Sequence, residues 1–313
     1  MKWSVPVRGR TLAVEDSGAR NGFPVVLMHG TPGSRLGPQP RSIILHRKDI
    51  RLVSYDRPGY GESDREEGRR VVDAVADVKA IADKLGLDKF AVVGRSGGGP
   101  HALACAAELP EQVTAVAALV SLAPRDASGL DWCLEMTRAN QDEFTMAHAD
   151  PEALLKRLED RMFRVRRDPS TMLPVLDAGL QNADRQVIGD GGILRRLFET
   201  YRMAFHANIY GHFDDVVALA NPAGWGFQPK EIHAPTLLWH GREDVFSPVG
   251  HTRWLAGQIG GSRLEIESEA AHFSAIEKLS DTLVWVRNVS KSGSAASESP
   301  TLREPLMAAR YQS

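Results

Sequence analysis

The chain has 313 residues, 42% of them hydrophobic and 25% charged, the balance of an ordinary globular protein long enough for one large α/β domain with an insertion or for two small domains. Its 38 Lys and Arg against 40 Asp and Glu leave a formal net charge of -2, so nothing electrostatic points to nucleic acid or an anionic membrane as partner. Cys105 and Cys133 are too few for a disulfide framework and complete no zinc-ligand spacing. With no apolar signal core in MKWSVPVRGR and no run of ~18 apolar residues, the expectation is a cytoplasmic protein.

In chain order, residues 11–17 read as an early strand, and 24–28 (PVVLM), continuously apolar, as a strand buried on both faces. That run leads into His29-Gly30-Thr31-Pro32-Gly33. Residues 51–55 (RLVSY) form the next strand, followed by the turn-rich DRPGYGES. Val71, Val75, Val78, Ile81 and Leu85 recur near a helical period, and Gly86 supplies a stop. Residues 90–93 are a fourth buried strand, entering Gly94-Arg95-Ser96-Gly97-Gly98-Gly99. A small-residue helix over 101–109 ends at Pro110, and 113–122 is again a strand.

From 126 to 225 the pattern turns helical, with candidates at 130–148, 151–166 and 193–207. Strands resume at 235–240 and 263–267, and a last helix covers 274–288. Beyond 289, Ser, Ala, Glu and Lys with little apolar patterning read as a disordered tail. The predicted class is α/β: a mostly parallel central sheet flanked by helices. Residues 1–125 and 226–290 form its core, 126–225 a helical cap over the carboxyl ends of the strands, and 291–313 the tail.

Gly94-Arg95-Ser96-Gly97-Gly98 matches G-x-S-x-G and lies between a buried strand and a helix, the context a nucleophile elbow requires. Such a turn strains the serine backbone and lifts its Oγ above the sheet, while glycines let neighbouring backbone pass closely. With this motif the chain resembles the α/β-hydrolase superfamily, from about residue 5 to 288. Asp244, in HGREDVFSP after one strand, and His272, in EAAHFS after the next, stand where that family places its acid and its histidine. HGTPG looks like the family's oxyanion loop, and DRPGYGES like its turn after the following strand. Gly211-His-Phe-Asp-Asp215 with Trp225-Gly-Phe227 resembles the segment leading out of its cap.

The resemblance implies a serine hydrolase of a small carboxylic ester, lactone or methyl ester. Ser96 would be the nucleophile, His272 the base and Asp244 its partner, with Thr31 and Gly97 as oxyanion donors and neither metal nor cofactor. Carbon–carbon hydrolysis, perhydrolysis, aminopeptidase-like activity and a non-catalytic receptor are the alternatives. The elbow lacks the Trp of proline iminopeptidases; an amine-binding acidic cluster would draw on Glu135, Asp142, Glu143 and Asp150.

Candidate substrate-binding side chains are Arg95, His29, Trp132 and Met136. His29 is also expected to brace the oxyanion loop, and Arg95 either binds an acidic group or points away. His101 and Arg57 read as structural, Asp126 as the competing acid, and His206 and His212, in or near the insertion, as ordinary histidines before substrate contacts. Oligomeric state is not encoded in any recognisable pattern.

Overall fold

The structure is a computed structural model and describes residues 1–177 and 179–297. Eight strands form one sheet: β1 (Lys2–Val7), β2 (Arg10–Gly18), β3 (Phe23–Met28), β4 (Ile50–Tyr55), β5 (Phe90–Arg95), β6 (Val113–Leu119), β7 (Thr236–Gly241) and β8 (Arg263–Glu267). Their order across the sheet is β1-β2-β4-β3-β5-β6-β7-β8. The β1/β2 and β2/β4 pairs are antiparallel, and every other pair is parallel. The predicted class is the observed one, with β1 added at the edge. Its KWSVPV alternates exposed and buried residues, a half-buried hairpin partner that a search for continuous apolar runs passes over.

The helices are α1 (Ser42–Arg47), α2 (Ala74–Leu85), α3 (Gly98–Glu108), α4 (Arg138–Ala149), α5 (Pro151–Arg167), α6 (Met172–Asp177), α7 (Asn182–Gly189), α8 (Gly191–Ala204), α9 (Tyr210–Leu219), α10 (Val249–Gln258) and α11 (Ser274–Ser297). β5 is buried from Phe90 to Gly94, and all of β7 is buried, because helices cover both faces of the sheet. One apolar cluster, containing Val26, Val92, Leu103 and Val116, fills one face. A second, containing Val25, Val93, Leu237 and Leu283, fills the other. Each such aliphatic side chain contributes roughly 1.5–3 kcal/mol on burial.

Helices α4 to α9 all lie between β6 and β7 and pack on a third cluster of their own, including Leu158, Met172, Tyr201 and Phe205. Local chemistry sets their ends. Asp150 caps α5 through the Ala153 N–H with Pro151 at the first position, and Asp190 caps α8 through Gly192 and Ile193.

The helix expected from 130 begins only at Arg138. Thr137 is its cap, and the Thr137 N–H is drawn to Val245 O at 2.8 Å, on the loop after β7. α11 runs to Ser297, nine residues beyond the expected end at 288, with Ser290 bonded to Thr114 at 2.7 Å and Lys291 paired to Asp49 at 2.9 Å. The rest of the expected tail, 298–313, lies outside the described residues. Among the described residues no helix is long and apolar enough to cross a membrane.

Candidate active site

Parallel register brings the chemistry to one edge. Met28 pairs with Gly94, so β3 and β5 end side by side and deliver the loop at Thr31 next to Ser96. β7 and β8 end on the same edge, where the following loops carry Asp244 and His272. Ser96, Thr31, Gly97 and His272 line one cavity of about 110 Å³, walled by Leu122, Phe144, Met172, Leu176, Val216 and Phe246.

Ser96 sits at φ 54°, in the left-handed region, between β5 and α3. Its N–H donates to Leu119 O at 2.9 Å and its carbonyl accepts from Gly99 N at 2.8 Å, which holds the turn shut. A Cβ at Gly94 would collide with Gly98 O, and one at Gly98 with Met28 O, so the turn closes only on glycine. Ser96 and His272 line the same cavity without a hydrogen bond between them.

His272 Nδ1 lies 2.8 Å from Asp244 Oδ2. The Asp244 carboxylate is buried and heavily bonded. Oδ1 accepts from the N–H of Phe246 at 2.8 Å and of Ser247 at 3.0 Å. Oδ2 accepts from Ser247 Oγ at 3.1 Å and lies 3.2 Å from His240 Nε2. Burial alone would raise its pKa, but His272 and His240 hold the carboxyl well below the usual range, so it is ionised at neutral pH. Asp126 stands instead against Gly224 in a separate groove with Trp225, and does not meet the imidazole.

Beneath Thr31 lies a hub that no single motif announces. Asp215, buried on α9, accepts from Thr31 Oγ1 at 2.5 Å, Arg69 at 2.6 Å and Tyr60 OH at 2.8 Å, and also pairs with Arg57; His101 Nε2 is 3.4 Å away. Burial opposes its charge, but Arg57 and Arg69 keep it well below the ordinary range. Arg57 also donates to Gly30 O at 3.1 Å and to His29 O. Arg57 and His101 thus both meet Asp215 inside the fold.

The backbone N–H groups of Thr31 and Gly97 have no hydrogen-bond partner among the described residues. Thr31 packs so closely on Gly97 that a Cβ there would strike its Oγ1.

The remaining candidates separate. Arg95 lines the cavity. His29 does not: its Nε2 accepts from Arg57 N at 3.1 Å and its Nδ1 bonds Gly30 O at 2.8 Å, which fixes a neutral brace behind the loop. Burial lowers its pKa, in keeping with that state. Trp132 donates to Ala123 O at 2.8 Å and packs edge-on to Phe144, and Met136 is buried in the core beside it, so neither reaches the cavity wall. His212 lines the cavity, and burial lowers its pKa to about 4, whereas His206 is exposed. Glu143 also lines the cavity, but Arg161 grips it through both terminal nitrogens. Among the described residues no group of three or more His, Cys, Asp or Glu side chains is placed to hold a metal ion.

A sequence profile of the alpha/beta hydrolase fold matches residues 24–279. The chain belongs to this family. As an alpha/beta hydrolase it is 27% identical over 272 residues to AB hydrolase superfamily protein YisY of Bacillus subtilis (strain 168), covering 86% of this chain and 91% of that protein. It is 28% identical to the 2-hydroxy-6-oxononadienedioate/2-hydroxy-6-oxononatrienedioate hydrolase of Comamonas testosteroni, covering 83% of this chain and 84% of that one. Among solved structures it resembles the enol-lactonase of Burkholderia xenovorans LB400. There the TM-score is 0.64 at 20% identity, over 92% of this chain and 99% of that one.

Sequence reading of this alpha/beta hydrolase missed Asp215 as a hub, Tyr201 and Phe246 as cavity walls, and Asp184. Asp184, buried on α7, accepts the N–H of Phe273, next to His272, at 2.7 Å. Only its spacing three residues before Val187, the other buried position of α7, could have hinted at burial.

Proposed function

We propose that the protein is a serine hydrolase that cleaves a small carboxylic ester, lactone or methyl ester through an acyl-enzyme on Ser96. The observation that carries this reading is the His272–Asp244 pair at 2.8 Å facing the same cavity as a strained Ser96. Ser96 Oγ attacks the carbonyl carbon as its proton passes to His272 Nε2. Asp244 stabilises the imidazolium at Nδ1. The unpartnered N–H groups of Thr31 and Gly97 receive the developing oxyanion. The C–O bond to the alcohol then breaks and His272 returns the proton to the departing oxygen. Water, deprotonated by the same imidazole, releases the acid and restores Ser96.

A cavity of about 110 Å³ suits a short acyl group, and helices α4 to α9 serve as the cap that walls it. Glu143, neutralised by Arg161, leaves no free carboxylate for a substrate amine, which argues against aminopeptidase activity.

Similarity to the Comamonas hydrolase along most of the chain favours carbon–carbon bond hydrolysis as a second reading, on the same three residues. A fluorophosphonate should modify Ser96 alone, and Ser96→Ala should abolish turnover of short p-nitrophenyl esters. An adduct mapped elsewhere, or an active Ser96→Ala, overturns the proposal. Turnover of the Comamonas enzyme's substrate with no ester cleaved establishes the second reading instead.

A further inference from the structure

The cavity beside Ser96 contains a cation with no counter-ion. Three side chains that are charged at neutral pH reach its wall: Arg95, Glu143 and Arg161. Glu143 is committed to Arg161, with Arg157 a further 3.6 Å away. The Arg95 side chain makes no hydrogen bond and no ion pair among the described residues. Its electrostatic neighbour is Tyr201, a phenol in the same wall whose hydroxyl is likewise unbonded. A guanidinium cannot shed its charge near neutral pH, and five donors in a planar fork match a carboxylate edge-on. Arg95 is half-buried in the cavity wall, and a guanidinium held there without a partner is favourably completed by an anion that enters the cavity.

We propose that Arg95 is a specificity-determining residue that receives a carboxylate carried by the substrate, with the Tyr201 hydroxyl as a second donor. The preferred substrates are then small anionic esters or lactones rather than neutral ones. Because Arg95 directly precedes Ser96 and the cavity is small, the carboxylate is joined to the scissile carbonyl by a short linker. The substrate class deepens the serine-hydrolase reading, while the carboxylate site itself stands on Arg95 and its surroundings.

A structural alternative exists. Arg95 also borders a narrow cavity behind the oxyanion loop, where the Gln39 side-chain oxygen is buried without a partner. An Arg95 that serves only to fill that space would support the fold and leave substrate charge indifferent.

Two matched ester pairs, with wild type, Arg95→Gln and Arg95→Lys, separate these cases. 4-Nitrophenyl hemiglutarate against 4-nitrophenyl pentanoate places the charge on the acyl side; 4-acetoxybenzoate against phenyl acetate places it on the alcohol side. Wild type should prefer the anionic member of one pair by about 10- to 100-fold in kcat/KM, mostly through KM, the scale of one charge-assisted pair. Arg95→Gln should bring that ratio close to one, and Arg95→Lys should restore part of it.

In parallel, glutarate should raise the melting temperature of Ser96→Ala and not of Ser96→Ala with Arg95→Gln. No anionic preference in either pair, or equal losses for both members with a lower melting temperature in Arg95→Gln, overturns the proposal. Arg95-dependent glutarate binding by a protein that cleaves no ester would sink the hydrolase reading and keep the site; ester turnover without such binding does the reverse.

Discussion

Asp244 accepts two backbone N–H groups and a serine hydroxyl besides meeting His272, so its side chain has no freedom to turn away from the imidazole. Asp244→Asn keeps the shape but presents an amide where Nδ1–H needs an acceptor, favouring the wrong tautomer. A protease with the corresponding exchange loses ~10⁴ in kcat, and a loss of that order is expected here. Asp126→Asn, remote from the imidazole, should stay near wild type; kcat for both variants on one ester decides the assignment.

Asp215 acts one step further out, by anchoring Thr31. Asp215→Asn should lower kcat by about 10²-fold with little change in KM, the scale of a misplaced oxyanion donor. It should also cost roughly 3–5 kcal/mol of stability, since Arg57 and Arg69 lose their buried counter-ion. Thr31→Val, which removes only the hydroxyl, should reproduce the kcat loss with far less destabilisation. The positions of Ser96, Asp244 and His272 were legible because each follows a recognisable strand. Asp215 stood out only as part of the segment leading out of the cap; its role as a hub was not legible, because its partners Thr31, Arg57 and Arg69 are brought to it only by tertiary packing.

The inserted helices were legible as a group but not one by one. α5 and α8 announce themselves through Asp-led caps and a strongly apolar face. α6 and α7 are short, and the second is mostly polar, so periodicity says little over 170–190. Yet α7 carries the contact that ties this layer to the loop of His272. Asp184 has one oxygen on Phe273 N–H and the other unpartnered, and burial pushes its carboxyl up to about 6 despite the lowering influence of that bond and of His272.

The sign follows from proton counts. Between ~4, the carboxyl value of an unfolded chain, and about 6, the native state holds a proton the unfolded state has released. Stability therefore falls as pH rises through that window. Asp184→Asn, which keeps an oxygen for Phe273 N–H, should melt higher than wild type at pH ~7.5 and gain much less at pH ~4.5. Equal gains at both values would remove Asp184 as the cause.

For the molecule as a whole, the central strands were readable from apolar runs, while the β1 edge and the outer end of α11 were not. Edge strands are only half buried, and a Ser- and Ala-rich helix carries no strong apolar stripe. What the whole molecule tolerates at its centre is the left-handed Ser96, a conformation that costs an L-residue with a Cβ roughly 1–2 kcal/mol relative to glycine. Ser96→Gly should thus melt a few degrees above Ser96→Ala while being equally inert. On the proposed mechanism, catalysis and robustness are opposed at this one position, and a lineage released from selection for turnover would gain by trading serine for glycine there. A glycine at the centre of the elbow, with the neighbouring loops intact, would mark a descendant that kept the fold and abandoned the chemistry.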